Sequence, residues 1–202
     1  MNGFYINLEK RLDRKKKIEK LQSKYPFFNG IKRFNAISNQ NGKIGCYLSH
    51  IQCLELCLQM EDEYFLIIED DFHIINDNNY INFIKDFSDI KEKKEWDIFL
   101  FTPVHSKRLK RKKFFKNFYL TMNSQTTTGY IIRKSFIPIL LINFKEGLEK
   151  YLKTKKEIYC IDIHWKIVQQ KYKFIYYLKT FVIQYPNYSD IEKKNVNYCS
   201  FK

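Results

Sequence analysis

Three consecutive carboxylates, Glu69-Asp70-Asp71, close a continuous apolar run, Tyr64-Phe65-Leu66-Ile67-Ile68. Acids in that position repel one another and lose solvation, and a divalent cation among them reverses both penalties. Hard cations such as Mg²⁺ or Mn²⁺ take oxygen ligands, commonly one or two carboxylates plus substrate phosphates. The same triplet also reads as a solvated acidic turn at a strand end. A second charged cluster, Glu9-Lys10-Arg11-Leu12-Asp13-Arg14, follows the strand-like run Phe4–Leu8. Arg11 and Arg14 are two of only six arginines, and arginine suits bidentate phosphate contacts. Alternatively they mark a charged helix N-terminus. His50, Cys53 and Cys57 share one helix face at i, i+3 and i+7. A structural zinc site wants four ligands, often in Cys pairs, so a buried face is the preferred reading. The chain has no P-loop and no GxGxxG, so a Gly-rich loop does not cradle phosphate here.

The elements that must position these residues alternate. Phe4–Leu8 reads as a strand, Arg11–Lys24 as a charged surface helix stopped by Pro26, and Lys32–Ala36 as a weak strand. After the turn cluster Asn39–Gly42 comes a helix, Tyr47–Met60, with Leu48, Ile51, Leu54 or Leu56, and Leu58 inward. Tyr64–Ile68 and Trp96–Phe101 have the pattern of strands buried on both faces. Lys107–Lys116 reads as a basic loop, and Thr128–Arg133 as a strand leading to a helix from Ser135 toward Asn143. Ile161–Gln170 reads as a helix and Lys179–Gln184 as a late strand. The alternation predicts one α/β domain over residues 1–202 with a mostly parallel sheet and helices on both faces. Such sheets bind ligands at the carboxyl ends of their strands, where both charged clusters fall.

Composition limits the partners. Hydrophobic residues make up 45% and charged residues 29% of 202, the profile of a folded chain. The formal charge is +14, but 30 of the 36 basic residues are Lys, and Ala occurs once. Lys, Asn, Ile, Phe and Tyr have AT-rich codons, so much of the charge is a compositional background and nucleic acid is disfavoured as a partner. That signature fits a low-GC bacterium or a large DNA virus. Five cysteines without regular spacing point to a reduced compartment. No apolar run approaches the roughly 20 residues of a membrane helix, and no secretory signal is visible, so a cytoplasmic location is expected.

Several motifs together resemble glycosyltransferase family 25, which holds the bacterial lipooligosaccharide galactosyltransferases and the procollagen galactosyltransferases. Phe4-Tyr5-Ile6-Asn7-Leu8-x-x-Arg11-x-Asp13-Arg14 resembles its opening motif, and Ile44-Gly45-Cys46-Tyr47-Leu48-Ser49-His50 its Ile-Gly-Cys-x-x-Ser-His. Phe65–Asp71 is similar to its hydrophobic strand ending in Glu-Asp-Asp, the family's version of a DXD metal site. Trp96–Leu100, Thr127–Ile132, Ile161-Asp162, Gln184 and Ser189-Asp190-Ile191 resemble later segments in the same order. Lys43 departs from the pattern, which commonly has an acidic residue there.

The resemblance implies a GT-A-like fold, a UDP-sugar donor and Mn²⁺ or Mg²⁺ held by Glu69, Asp70 and Asp71. It implies donor contacts from Asn7, Arg11, Arg14, Ser49, His50, Glu69, Asp70, Gly129, Tyr130 and Gln184. Inversion, suggested by family members of known linkage, requires one carboxylate as general base. Asp162 is the first candidate and Asp190 the second, with a helix N-cap as the alternative role. The implied reaction moves galactose or glucose to a hydroxyl of a glycan, or of hydroxylysine in a collagen-like protein. The competing reading is a non-catalytic basic binding module that retains the fold. The stretch Ser106–Asn117, with seven Lys or Arg, is a solvated loop or a contact to an anionic acceptor or membrane surface.

Overall fold

A computed structural model of the chain describes residues 1–92, 95–103 and 112–197. The strands are β1 (Gly3–Asn7), β2 (Ile31–Asn35), β3 (Tyr64–Glu69), β4 (Phe72–Ile74), β5 (Ile98–Leu100) and β6 (Lys112–Phe115), then β7 (Phe118–Thr121), β8 (Gly129–Arg133), β9 (Phe174–Tyr177), β10 (Val182–Gln184), β11 (Asn187–Ser189) and β12 (Lys194–Val196). The helices are α1 (Leu12–Lys24), α2 (Gly42–Leu58), α3 (Asp77–Lys91), α4 (Ile137–Thr154) and the single turns α5 (Ile161–His164) and α6 (Lys166–Gln169).

Eight strands form one sheet in the order β2-β1-β3-β8-β5-β9-β7-β6. β1 pairs in parallel with β2 and β3, and β5 with β9, while β8 and β7 run antiparallel to their neighbours. Six of the eight strands therefore point the same way, as the alternation of elements predicts. Each face carries its own apolar layer. Tyr5, Leu66, Ile68, Phe99 and Ile131 point toward α1 and α3, and Ile6, Phe65, Ile67, Ile98 and Ile132 toward α2, α4 and α6. This two-sided burial is why Tyr64–Ile68 is apolar throughout rather than alternating. Gly3 sits at φ +148°, and a Cβ there would lie 1.9 Å from the Leu66 carbonyl oxygen. Only glycine lets β1 approach β3 this closely.

The layer under α3 is mostly aromatic. Phe83 is fully buried, with ring centroids 4.8 Å from Phe181 and 5.1 Å from Phe99. With almost no Ala in the chain, the helix packs through large flat rings in edge and stacked contacts. The helix itself carries Tyr80, Phe83, Phe87 and Ile90 on one stripe, and Asn76 caps it by accepting from the Asn79 N–H at 2.9 Å.

Several expected boundaries move. α2 begins at Gly42 rather than Tyr47, because the Asn41 side chain caps it through the Lys43 N–H. Its inward residues are Tyr47, Ile51 and Leu54 with Cys53 and Cys57, while Leu56 is exposed and Leu48 and Leu58 are half-buried. The stretch Ile161–Gln170 is two short turns rather than one helix. Of the basic segment expected as a loop, residues 112–115 form β6, paired antiparallel with β7, and 106–111 lie outside the described residues. Among the described residues no helix is long and apolar enough to cross a membrane.

Candidate active site

The carboxyl ends of β1 and β3 lie side by side, because Ile6 is in register with Glu69. Asn7 therefore falls beside Asp70, and the acidic triplet opens onto a cleft of about 780 Å³. That volume is within the usual range of small-molecule sites, roughly 300–1,000 Å³. The start of α2, the turn before β8, the turn α5 and the hairpin β11–β12 supply the other walls.

The three acids do not share one environment. Asp70 is buried and fully engaged: Arg14 donates to Oδ1 at 2.6 Å and Asn7 Nδ2 to Oδ2 at 2.8 Å. Asn7 is itself fixed by Arg33 Nε, which donates to its Oδ1 at 2.9 Å. Burial still outweighs these contacts and raises the Asp70 carboxyl above its ordinary value. Glu69 turns the other way. Its Oε1 accepts from the Thr127 hydroxyl at 2.6 Å and lies 3.2 Å from His50 Nε2. Burial pushes Glu69 up, but His50, Thr127 and Arg14 outweigh it and hold the carboxyl below the usual range. Asp71 Oδ2 accepts from Gln184 Nε2 at 3.0 Å, whereas Oδ1 is buried with no hydrogen-bond partner. Burial and then the charges of Glu69 and Asp70 push Asp71 up to about 7. A buried carboxylate oxygen without a partner at the mouth of a cleft is what a hard cation would complete.

Arg11 and Arg14 reach the site, where protein atoms take up most of their donors, while Arg14 Nε is buried without a hydrogen-bond partner. Arg14 also donates to the Tyr188 carbonyl at 2.7 Å, and Arg11 binds Asp13 and Asp190. Lys10 approaches the other Asp190 oxygen at 2.6 Å. These contacts tie the β11–β12 hairpin to the end of β1. Partial burial pushes Asp190 up, but Lys10 and Arg11 outweigh it and keep its carboxyl below the ordinary value. Asp162 differs. It lines the cleft in the first turn of α5, where Cys160 and not Asp162 takes the cap position. It accepts from the Thr126 N–H at 3.4 Å, and burial, with a further push from Glu69, raises its proton affinity.

Other expected residues line the cleft wall or lie just behind it. Ser49 donates to the Gly45 carbonyl at 2.7 Å and accepts from the Ile37 N–H at 2.9 Å, so it ties α2 to the chain after β2. Tyr130 is fully buried, its hydroxyl 3.1 Å from His50 Nδ1. A Cβ on Gly129 would lie 2.6 Å from the Phe72 ring, which makes this glycine a packing residue of β8. Cys53 and Cys57 are fully buried in the layer under α2, as expected of a buried face. Lys43 pairs with Glu157 at the cleft rim.

Thr127, Cys46 and Lys10 belong to this site without having been singled out from the sequence. Cys46 and His50 are four residues apart on one helix, but the helix read from the sequence began at Tyr47 and left Cys46 outside it. Thr127 was not legible, because its role depends on the strained turn at Thr126 (φ 76°) that aims it at Glu69.

Comparisons with known proteins bear on the fold and the family. No curated protein matches the sequence. Among solved structures, a glycosyltransferase involved in the glycosylation of the major capsid of PBCV-1 superposes with a TM-score of 0.58 at 12% identity, covering 94% of each chain. A mannose-1-phosphate geranyltransferase from Thermus thermophilus gives 0.47 at 12% identity over 88% of this chain, which spans 59% of that protein's length. The first of these likenesses shows a shared GT-A-like fold. Residues 1–142 match the model of glycosyltransferase family 25, described as LPS biosynthesis protein. With that match covering β1 through the start of α4, including the Asn7–Arg14–Asp70 network and the Asp71 position, the chain belongs to glycosyltransferase family 25.

Proposed function

We propose that the protein is a metal-dependent transferase that moves a hexose, galactose or glucose, from a UDP-sugar to a hydroxyl of a glycan or of a hydroxylysine. The observation that carries the reading is Asp71 Oδ1, a buried carboxylate oxygen without a partner where β3 opens onto the cleft. Asp71 would hold Mn²⁺ or Mg²⁺ through that oxygen, the ligand type such hard cations take. Bound there, the cation supplies charge neutralisation for the departing UDP.

The chain's own residues do the rest. Asn7 and Arg14 hold Asp70, so the end of β3 keeps its shape and Asp71 stays aimed at the cleft. Gln184 fixes the other Asp71 oxygen. Asp162, with its raised proton affinity, takes the proton from the acceptor hydroxyl as that oxygen attacks the anomeric carbon. The sugar–phosphate bond breaks and its electron pair leaves with UDP. Asp190 suits this role less, because Lys10 and Arg11 lower its basicity. The Lys43–Glu157 pair at the rim leaves that end of the cleft polar and nearly neutral, which favours an uncharged sugar or hydroxyl over an anionic acceptor. A thermal-shift screen with UDP, UDP-galactose and UDP-glucose, each with and without Mn²⁺, tests the reading. A Mn²⁺-dependent shift with UDP supports it, and no shift with any nucleotide overturns it.

A further inference from the structure

Cys46, His50 and Glu69 bring three different ligand types to one point on the cleft wall. Sγ, a ring nitrogen and a carboxylate oxygen all lie within 4.8 Å of one another. Among the described residues no other group of three His, Cys, Asp or Glu side chains converges this closely, the triplet Glu69-Asp70-Asp71 included. All three residues line the cleft. Cys46 and His50 stand one turn apart on α2, so the helix itself sets the sulfur–nitrogen spacing.

The surroundings orient these groups as metal ligands are oriented. His50 Nδ1 lies 3.1 Å from the Tyr130 hydroxyl. Nε2 lies 3.2 Å from Glu69 Oε1, so the ring is held between two oxygens with Nε2 on the side of the carboxylate. A proton on Nε2 bridges this pair when no ion is bound, and a cation that binds takes its place. Ligating histidines commonly bond an outer partner through the second ring nitrogen, and ligating carboxylates are commonly hydrogen-bonded as well. Thr127 supplies the bond to Glu69. In a tetrahedral site with metal–nitrogen distances near 2.1 Å and metal–sulfur near 2.3 Å, ligand atoms lie roughly 3.3–3.8 Å apart. The nitrogen–oxygen pair is already there, and the sulfur corner needs to close by about an ångström at most.

We propose that Cys46, His50 and Glu69 form a binding site for one soft divalent cation of the Zn²⁺ type, separate in ligand chemistry from the all-oxygen position at Asp71. Thiolate and imidazole select Zn²⁺ over Mn²⁺ and Mg²⁺, and carboxylate with phosphate selects the reverse. Three protein ligands leave the fourth position open to the cleft, where water or a ligand oxygen completes the sphere. The site does not depend on the identity of the donor sugar.

The test titrates the metal-free full-length protein, kept reduced, with Co²⁺ while recording its electronic spectrum. The expected result is a thiolate-to-Co²⁺ charge-transfer band that saturates at one equivalent. Zn²⁺ then bleaches it and Mn²⁺ leaves it. Cys46→Ser abolishes the band, Glu69→Gln weakens Co²⁺ binding tenfold or more, and Asp71→Asn retains the band. No band at one equivalent, or a band that survives Cys46→Ser, overturns the proposal, as does its loss in Asp71→Asn. X-ray absorption on the Zn²⁺-loaded wild type decides without any variant. One sulfur in the first sphere supports the site, and a sphere of nitrogen and oxygen alone overturns it.

Discussion

Arg14 and Asp70 meet at 2.6 Å, nitrogen to oxygen, with both side chains almost withdrawn from solvent. This contact divides the acidic triplet. It occupies the middle carboxylate and leaves the outer two to face different walls of the cleft. Removing one partner of a buried pair leaves the other charge uncompensated, at a cost of about 3–5 kcal/mol. Arg14→Ala is therefore expected to destabilise the protein by that amount in chemical denaturation, and Asp70→Asn by a smaller amount, because the Arg14 charge it leaves behind still has Asp71 Oδ2 at 3.7 Å and the Tyr188 carbonyl as partners. Arg14→Lys is expected to rescue only in part, because a single ammonium cannot reach Asp70 and the Tyr188 carbonyl at once.

Asp71 is costly to the metal-free fold. Its free oxygen is buried, and burial with the two neighbouring acids raises its carboxyl to about 7. A carboxyl raised on folding binds its proton more tightly in the native state. Stability is then greatest at low pH and declines as pH climbs from about 3.9 toward that raised value. Asp71→Asn removes the charge. Above neutral pH and in the presence of chelator, the variant is expected to melt higher than wild type, by at most about 4 kcal/mol. The same variant is expected to lose Mn²⁺-dependent release of UDP from a UDP-hexose. A variant that melts lower and keeps this activity would remove Asp71 from the site.

Asp162 and Asp190 are separated by their neighbours. Asp162→Asn is expected to lower kcat by about 10²–10⁴ with KM for the donor little changed. In wild type, kcat falls as the base is protonated. Because burial raises Asp162, the acidic limb of the pH profile lies above the ordinary carboxylate range, and it disappears in the variant. Asp190→Asn removes the charge that pairs with Lys10 and Arg11 and leaves one acceptor oxygen where there were two. Its expected signature is faster proteolysis at the β11–β12 hairpin, with a smaller loss of kcat. The reverse ranking in steady-state kinetics would exchange the two roles.

The sheet was legible in part: Tyr64–Ile68 and Trp96–Phe101 have the continuous apolar pattern of strands covered on both faces, and Phe4–Leu8 is rich in β-formers. The acidic triplet was legible because it ends one of them. What escaped depends on contacts distant in sequence. The reversed direction of β8 leaves no mark in Thr128–Arg133, because β8 lies between β3 and β5 and is buried on both faces in either direction. The assignment of Asp70 to Arg14 joins residues 56 positions apart, and the hold on Asp190 joins residues 179 apart. Arginines that suited a phosphate by type brace carboxylates and a carbonyl. α3 was missed although Tyr80, Phe83, Phe87 and Ile90 form a readable stripe, because the Asp, Asn and Lys between them resemble a polar connection.

Gly45 tests whether the start of α2 is set by helix preference or by packing. In an ordinary helix, Gly→Ala gains about 1 kcal/mol. At this position an added Cβ would stand 2.5 Å from the Ile37 carbonyl oxygen, a backbone atom on the chain after β2. That chain is also tied to α2 by Ser49, which accepts from the Ile37 N–H. Relief of the clash must move the first turn of α2, and Cys46 and His50 move with it. Gly45→Ala is therefore expected to lower stability despite the better helix former, by about 1–3 kcal/mol. It is also expected to weaken binding in the cleft while leaving the aromatic layer under α3 intact, because Phe83 and its neighbours pack on the opposite face of the sheet. Near-ultraviolet circular dichroism and UDP titration on the same sample separate the two effects. Unchanged UDP affinity together with a higher melting temperature would mean that helix preference, not the contact with Ile37, governs this turn.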